Sequence, residues 1–142
     1  MIAIAISLFN KKITDGLLDG CLRALKENGY KRSHINIYEV PGAFELPAKV
    51  QFLNSKTKYN CIIALGCVIK GETDHYHYIC QAVTNGIMSV TLDKKVKNET
   101  SNIIFGILTC QNKELALLRS SDDMKKNKGY EAGNSAIKLI KS

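Results

Sequence analysis

The chain has 142 residues, 45% of them hydrophobic, and 20 Lys and Arg against 13 Asp and Glu for a net charge of +7. That balance excludes wholesale disorder, collagen-like repeats and a disulfide-dense miniprotein, and the length suits one domain, residues 1–142, with one core. The longest apolar runs, Met1–Ile6 and Cys61–Ile69, fall far short of the roughly 20 residues that cross a bilayer, and Met1 leads into a strand-like run without a signal peptide's basic region, so no membrane partner and a cytoplasmic location are expected.

Ile2–Phe9 reads as an apolar strand. Thr14 is suited to cap a helix in which Leu17, Leu18, Cys21, Leu22 and Leu25 share one face, ending at Asn28-Gly29. A second strand follows at His34–Val40, and Pro41-Gly42 turns the chain into a helix over about Phe44–Asn54. Pro47 is tolerated there because it lies in the first turn. Cys61–Val68 is apolar without alternation, as a strand covered on both faces should be. Thr73 and Asp74 open a long helix to about Thr91, and the charged segment 93–101 reads as a loop. Asn102–Leu108 is the fourth strand, Lys113–Ser120 a helix, and Tyr130–Ile140 the last helix. Strands that alternate with helices predict an α/β fold with a parallel sheet and helices on both faces, in which ligands bind at the carboxyl ends of the strands.

The positive charge does not follow a nucleic-acid pattern. Many cations are scattered or crowd the last third (Lys94, Lys95, Lys97, Lys125, Lys126, Lys128), with few aromatics among them and no Arg-rich helix. A solvated surface that favours anionic small molecules is the better reading, with no nucleic-acid partner. The 5 cysteines, Cys21, Cys61, Cys67, Cys80 and Cys110, form no CxxC pair and no zinc spacing, which fits a reducing compartment and no metal. On one strand Cys61 and Cys67 lie about 20 Å apart and cannot bridge.

Unusual residues fall where the strands end. Gly66–Thr73 has the spacing of a phosphate loop, but Glu72 occupies the place of the nucleotide-binding lysine, which excludes an ATPase or GTPase. What survives is a turn feeding a helix, where the N–H groups of Glu72 and Thr73 either hold one phosphate or are followed by an ordinary Thr73 or Asp74 cap. His75 in the first turn is a candidate proton shuttle. His34 and His77 read as surface histidines, and His75-x-His77 is no metal pair on a helix because residues two apart face different ways. Phe9 and Phe44 are either core rings or a sandwich for a planar heterocycle, with Glu45 accepting hydrogen bonds beside them. Arg119 is either solvated or a phosphate partner. Cys67 or Cys110 paired with His75 as a nucleophile is weighed against small hydrophobic cysteines, the commoner role in such strands.

Together these residues carry a resemblance. Phe9-Asn10-x-x-Ile13-Thr14, Val40-Pro-Gly-Ala-Phe-Glu45, Leu65-Gly-Cys-Val-Ile-Lys-Gly-Glu-Thr73 with His75-Tyr76, Phe105-Gly-Ile-Leu-Thr109 and Asn127-Lys-Gly129 resemble the 6,7-dimethyl-8-ribityllumazine synthase family over nearly the whole chain. The resemblance implies a three-layer α/β/α sandwich, flavodoxin-like, with a four-stranded parallel sheet in the order 2-1-3-4. It implies a transferase of riboflavin synthesis that condenses 5-amino-6-ribitylaminouracil with 3,4-dihydroxy-2-butanone 4-phosphate, releasing phosphate and water without a cofactor. Carried over by position, Phe9 stacks on the pyrimidine, and Ala43, Phe44 and Glu45 hold the ribityl chain. Cys67, Val68 and Ile69 line the ring edge, Glu72, Thr73 and Arg119 take the phosphate, and His75 transfers protons. The resemblance also implies a homo-oligomer, a pentamer or a decamer or sixty-subunit assembly of it, in which Phe105 and Arg119 reach the site from the adjacent subunit. Riboflavin synthase is a candidate partner.

Three departures from the family pattern stand out. Lys70 replaces the usual Arg, which keeps a cation but loses two-point hydrogen bonding. The sequence starts at the first core strand, and residues 120–126 lack the glycine-containing turn of shell-forming members, so a free or paired pentamer is expected. The rival from another class is a non-catalytic flavin- or lumazine-binding module, which needs Phe9 and Glu45 but neither the phosphate site nor His75.

Overall fold

A computed structural model describes residues 1–56, 58–93 and 101–142. Four strands, β1 (Ile2–Ser7), β2 (Ile35–Val40), β3 (Cys61–Ile69) and β4 (Asn102–Cys110), form one sheet in the order β2-β1-β3-β4. Every pairing is parallel, with Ile2 opposite Ile35 on one side and Cys61 on the other, and Cys61 opposite Asn102. Helices α1 (Lys11–Glu27), α2 (Leu46–Asn54), α3 (His75–Leu92), α4 (Lys113–Leu118) and α5 (Lys128–Lys141) cover its two faces. The expected parallel α/β/α sandwich with order 2-1-3-4 is the observed one.

Strand periodicity sorts the core into two halves. Ile2, Ile4 and Ile6 of β1 and Ile63, Leu65 and Cys67 of β3 pack with Leu17 and Cys21 of α1 and Ala132 and Ala136 of α5. Their neighbours Ala3, Ala5, Ile62 and Ala64 face Val50 and Leu53 of α2 and Val83 and Ile87 of α3. Both sets are buried, so these strands show no polar alternation, as a sheet covered on two faces requires. On the first face α5 sits close against α1: a Cβ on Gly129 would fall 1.8 Å from the Leu17 carbonyl oxygen, and only glycine allows that approach.

Element ends differ from expectation where side chains or backbone geometry override periodicity. The first strand stops at Ser7, not Phe9. The N–H groups of Leu8 and Phe9 still donate to the carbonyls of Val40 (2.9 Å) and Pro41 (3.0 Å), and the chain then turns at Asn10, which has the left-handed φ of 63°. Asn tolerates that conformation better than most residues, so α1 opens at Lys11 and Thr14 lies inside its first turn, its hydroxyl donating to the Lys11 carbonyl at 3.3 Å. A short 3₁₀ turn at Ala43–Glu45 precedes α2. The fourth strand runs to Cys110, α4 ends at Leu118, and α5 begins at Lys128, capped by Asn127, whose Oδ1 accepts from the Tyr130 N–H at 2.9 Å. Of the charged segment read as a loop, residues 94–100, with Lys94, Lys95 and Lys97, lie outside the described residues.

The strand order fixes where a ligand can sit. The chain steps from β1 outward to β2 and then back across β1 to β3, so connections leave the carboxyl ends of β1 and β3 in opposite directions. Such a reversal leaves a crevice between the two strand ends.

Candidate active site

Three strand ends build that crevice. After β1, Phe9 projects with 71% of its surface exposed, unsupported by the core, because the turn at Asn10 lifts it off the sheet. After β2, the 3₁₀ turn buries Ala43 and leaves Phe44 59% exposed; the turn is closed by the Gly42 N–H, which donates to Glu45 Oε1 at 2.9 Å. At the end of β3 successive side chains alternate, Cys67 and Ile69 toward the α1 layer and Val68 toward the α3 layer. Lys70 is tied to β4 by its N–H, which donates to the Cys110 carbonyl at 2.9 Å.

The chain then crosses to α3. The Thr73 hydroxyl accepts the His75 N–H at 3.3 Å, closing a turn just ahead of the helix; the N-cap position is Asp74 and carries no side-chain cap bond, so the expected Thr73 or Asp74 cap is not formed. The backbone N–H groups of Glu72 and Thr73 have no hydrogen-bond partner among the described residues. His75 stands exposed at the first position of the helix.

These pieces enclose a cleft of about 500 Å³. It brings together Phe9, Ala43, Phe44, Glu45, Cys67, Val68, Ile69, Thr73 and His75, and adds Asn10, Tyr76, Ile79 and Lys113, which the sequence reading had not given a role. Tyr76 and Ile79 follow His75 at helical spacing; Lys113 begins a helix after another strand and gave no local signal. Glu72 borders the cleft through its backbone neighbours Gly71 and Thr73 without lining it. Phe105 and Arg119 are elsewhere: Phe105 is half-buried on β4 in the α2–α3 half of the core, and Arg119 is exposed at the end of α4. Under the cleft floor Ser7 is fully buried and its hydroxyl has no partner among the described residues. A Cβ on Gly66 would come within 2.8 Å of that oxygen and 2.9 Å of Leu46 Cδ1, so a side chain there would push the floor into the cleft.

Burial disfavours the thiolate form of the cysteines near the cleft. Burial pushes the Cys67 thiol up to about 12, with Cys110 adding to the effect, and burial raises Cys110 as well, against the opposing charge of Arg119. Near neutral pH both are protonated, and a protonated thiol is a poor nucleophile. The Cys–His pair weighed from the sequence therefore has no support, and all five cysteines are free. Tyr76 is also raised, by burial and by Cys80 beside it. Among the described residues no group of His, Cys, Asp and Glu side chains is arranged to hold a metal ion, and no helix is long and apolar enough to cross a membrane.

Comparison with known proteins places the whole chain. The family model for 6,7-dimethyl-8-ribityllumazine synthase matches residues 1–142. The 6,7-dimethyl-8-ribityllumazine synthase of Pediococcus pentosaceus is 40% identical over 139 residues, covering 98% of this chain and 85% of that protein. The enzyme of the same name from Coxiella burnetii is 40% identical over 140 residues, 99% of this chain and 89% of the relative.

Proposed function

The chain belongs to the 6,7-dimethyl-8-ribityllumazine synthase family and is a transferase of riboflavin biosynthesis; from that premise we propose how its residues divide the work. The cleft takes 5-amino-6-ribitylaminouracil with its ring stacked on Phe9 and its edge along Cys67, Val68 and Ile69. Ala43, Phe44 and Glu45 hold the ribityl chain, Glu45 accepting from its hydroxyls. The phosphate of 3,4-dihydroxy-2-butanone 4-phosphate sits on the open N–H groups of Glu72 and Thr73, where free donors at a helix start favour an anion.

The chemistry needs alignment and proton movement. The aromatic amine adds to the ketone and loses water to give an imine; a proton leaves carbon as phosphate departs; the ribitylamino nitrogen closes the ring and a second water is lost. His75, beside the phosphate turn, carries protons in these steps. Holding two substrates in register is worth roughly 7 to 11 kcal/mol, and one placed acid or base contributes about 10²- to 10⁴-fold. No cofactor enters the sequence of steps.

Arg119 and Phe105 complete the site from an adjacent subunit of a pentamer, located in the cytoplasm, and riboflavin synthase consumes the product. Two features support a shared site. Both residues lie outside the cleft of their own chain, and α3 exposes Tyr78, Met88 and Leu92 at 71%, 53% and 66% among polar residues on one side, large apolar groups of the kind that subunits cover.

The observation that carries this reading is the convergence of Phe9, Glu45, His75 and the open Glu72–Thr73 turn on one cleft. The test mixes the two substrates with purified protein and follows lumazine absorbance and phosphate release together. Equal rates of both are expected. Tight lumazine binding with no turnover would instead support the non-catalytic module.

A further inference from the structure

We propose that Lys113 is a substrate-binding residue that donates from its ammonium group to a carbonyl oxygen of the pyrimidinedione ring; this rests on the assignment of the cleft to ribitylaminouracil. Lys113 lines the cleft with Phe9, Asn10, Cys67 and Ile69, and apart from His75 no other lining residue is basic. It has no ion pair or hydrogen bond within the chain among the described residues.

Its position is otherwise unfavourable. Lys113 is the first residue of α4, and the positive end of a helix favours acidic side chains over lysine. Nor does it cap the helix: Asn112 Oδ1 already accepts the Leu115 N–H at 2.9 Å. A cation held against the local electrostatic preference and without a partner marks a place where function, not folding, selects the residue.

The layering of the fold says which part of the substrate it meets. Cys67, Ile69 and Cys110 face the α1 layer, and α4 follows Cys110 into that layer. Val68 and Ile79 belong to the opposite layer. Lys113 therefore comes to the cleft from the α1 layer, three residues after Cys110, which pairs with Ile69 on the strand edge along which the ring is proposed to lie. A dione ring that leaves water for this apolar cleft brings carbonyl oxygens that need donors. The ammonium also stabilises negative charge spread onto those oxygens when the ring gives up a proton.

The test uses the assembled enzyme with Lys113→Ala, Lys113→Gln and Lys113→Arg, each checked for unchanged oligomeric state. Lumazine is titrated by its fluorescence without turnover, inorganic phosphate is titrated as the second probe, and KM is measured for each substrate. Loss of a charged hydrogen bond corresponds to about 10- to 100-fold. Lys113→Ala is expected to raise the lumazine Kd and the ribitylaminouracil KM by that factor while the phosphate Kd and butanone phosphate KM move less than about twofold. Lys113→Arg should restore most of the loss and Lys113→Gln part of it. An effect confined to phosphate, an equal effect on both substrates, or no effect overturns the proposal. A wild-type enzyme that binds no lumazine overturns the underlying function as well, whereas wild-type binding that survives Lys113→Ala overturns this proposal alone.

Discussion

His75 shows what a single residue contributes here. It is exposed, it lines the cleft, and its backbone is held by the Thr73 hydroxyl, so removing the imidazole leaves the helix start and the phosphate turn intact. His75→Ala should lower kcat by roughly 10- to 10³-fold with little change in either KM, because acid–base help is lost while alignment remains. An unchanged kcat in the steady-state assay would remove the histidine from the mechanism. Lys70, which replaces an arginine of the family pattern, is tied among the described residues only through its backbone to Cys110, and its side chain is exposed outside the cleft. The loss of two-point hydrogen bonding there is accordingly without a visible consequence for the described site.

Among the helices the most extensive packing is between α1 and α5. Asn127, 2% exposed, donates from Nδ2 to the carbonyls of Gly16 (3.1 Å) and Ser121 (2.8 Å) while its Oδ1 caps α5. Asn127→Ala removes the cap and the donor shared by two carbonyls, a loss of about 2 to 4 kcal/mol, to be read as a lower urea midpoint at unchanged slope. The core strands set a second property of this kind. Burial pushes Cys21, Cys61 and Cys67 up to about 12 from an ordinary 9.0. The fold holds these protons more tightly than the unfolded chain does, so the stability they contribute is complete below pH 9 and falls as pH rises from there toward 12. Each thiol steepens that fall by about 1.4 kcal/mol per pH unit. Replacing Cys21 by Ala should flatten the alkaline limb of a stability-against-pH curve by that amount; an unaltered limb would show that the thiol ionises freely in the fold.

At the scale of the whole molecule the question is whether one chain makes a site. Arg119→Ala alone should weaken the butanone phosphate by about 10- to 150-fold, the worth of one charged hydrogen bond. If that arginine acts across an interface, mixing His75→Ala chains with Arg119→Ala chains under reassembly regenerates sites in which one subunit supplies His75 and its neighbour Arg119. Random pairing of equal amounts gives about a quarter of wild-type sites. Activity that stays at the level of the separate variants means that each chain uses its own arginine. Light scattering provides the matching size, expected at five or ten subunits given the altered 120–126 segment; a sixty-subunit mass would contradict it.

Much of this was legible in the sequence, for a physical reason. Helical periodicity reports which face of a segment is buried and unbroken apolar runs mark strands covered on both faces, so the four strands, the helices and the double-sided core could be read locally, and the motif residues at strand ends already marked Phe9, Glu45, Thr73 and His75. Local pattern is silent about backbone that the tertiary fold bends: Ser7 ends its strand, and Asn10 rather than Thr14 starts α1, because the turn beside β2 requires a left-handed residue there. It is equally silent about convergence. That Lys113 belongs to the cleft and that Phe105 and Arg119 do not follows from the order β2-β1-β3-β4 and the layer into which each connection runs, since which distant side chains meet is decided by sheet order and loop path, and neither leaves a period in the chain.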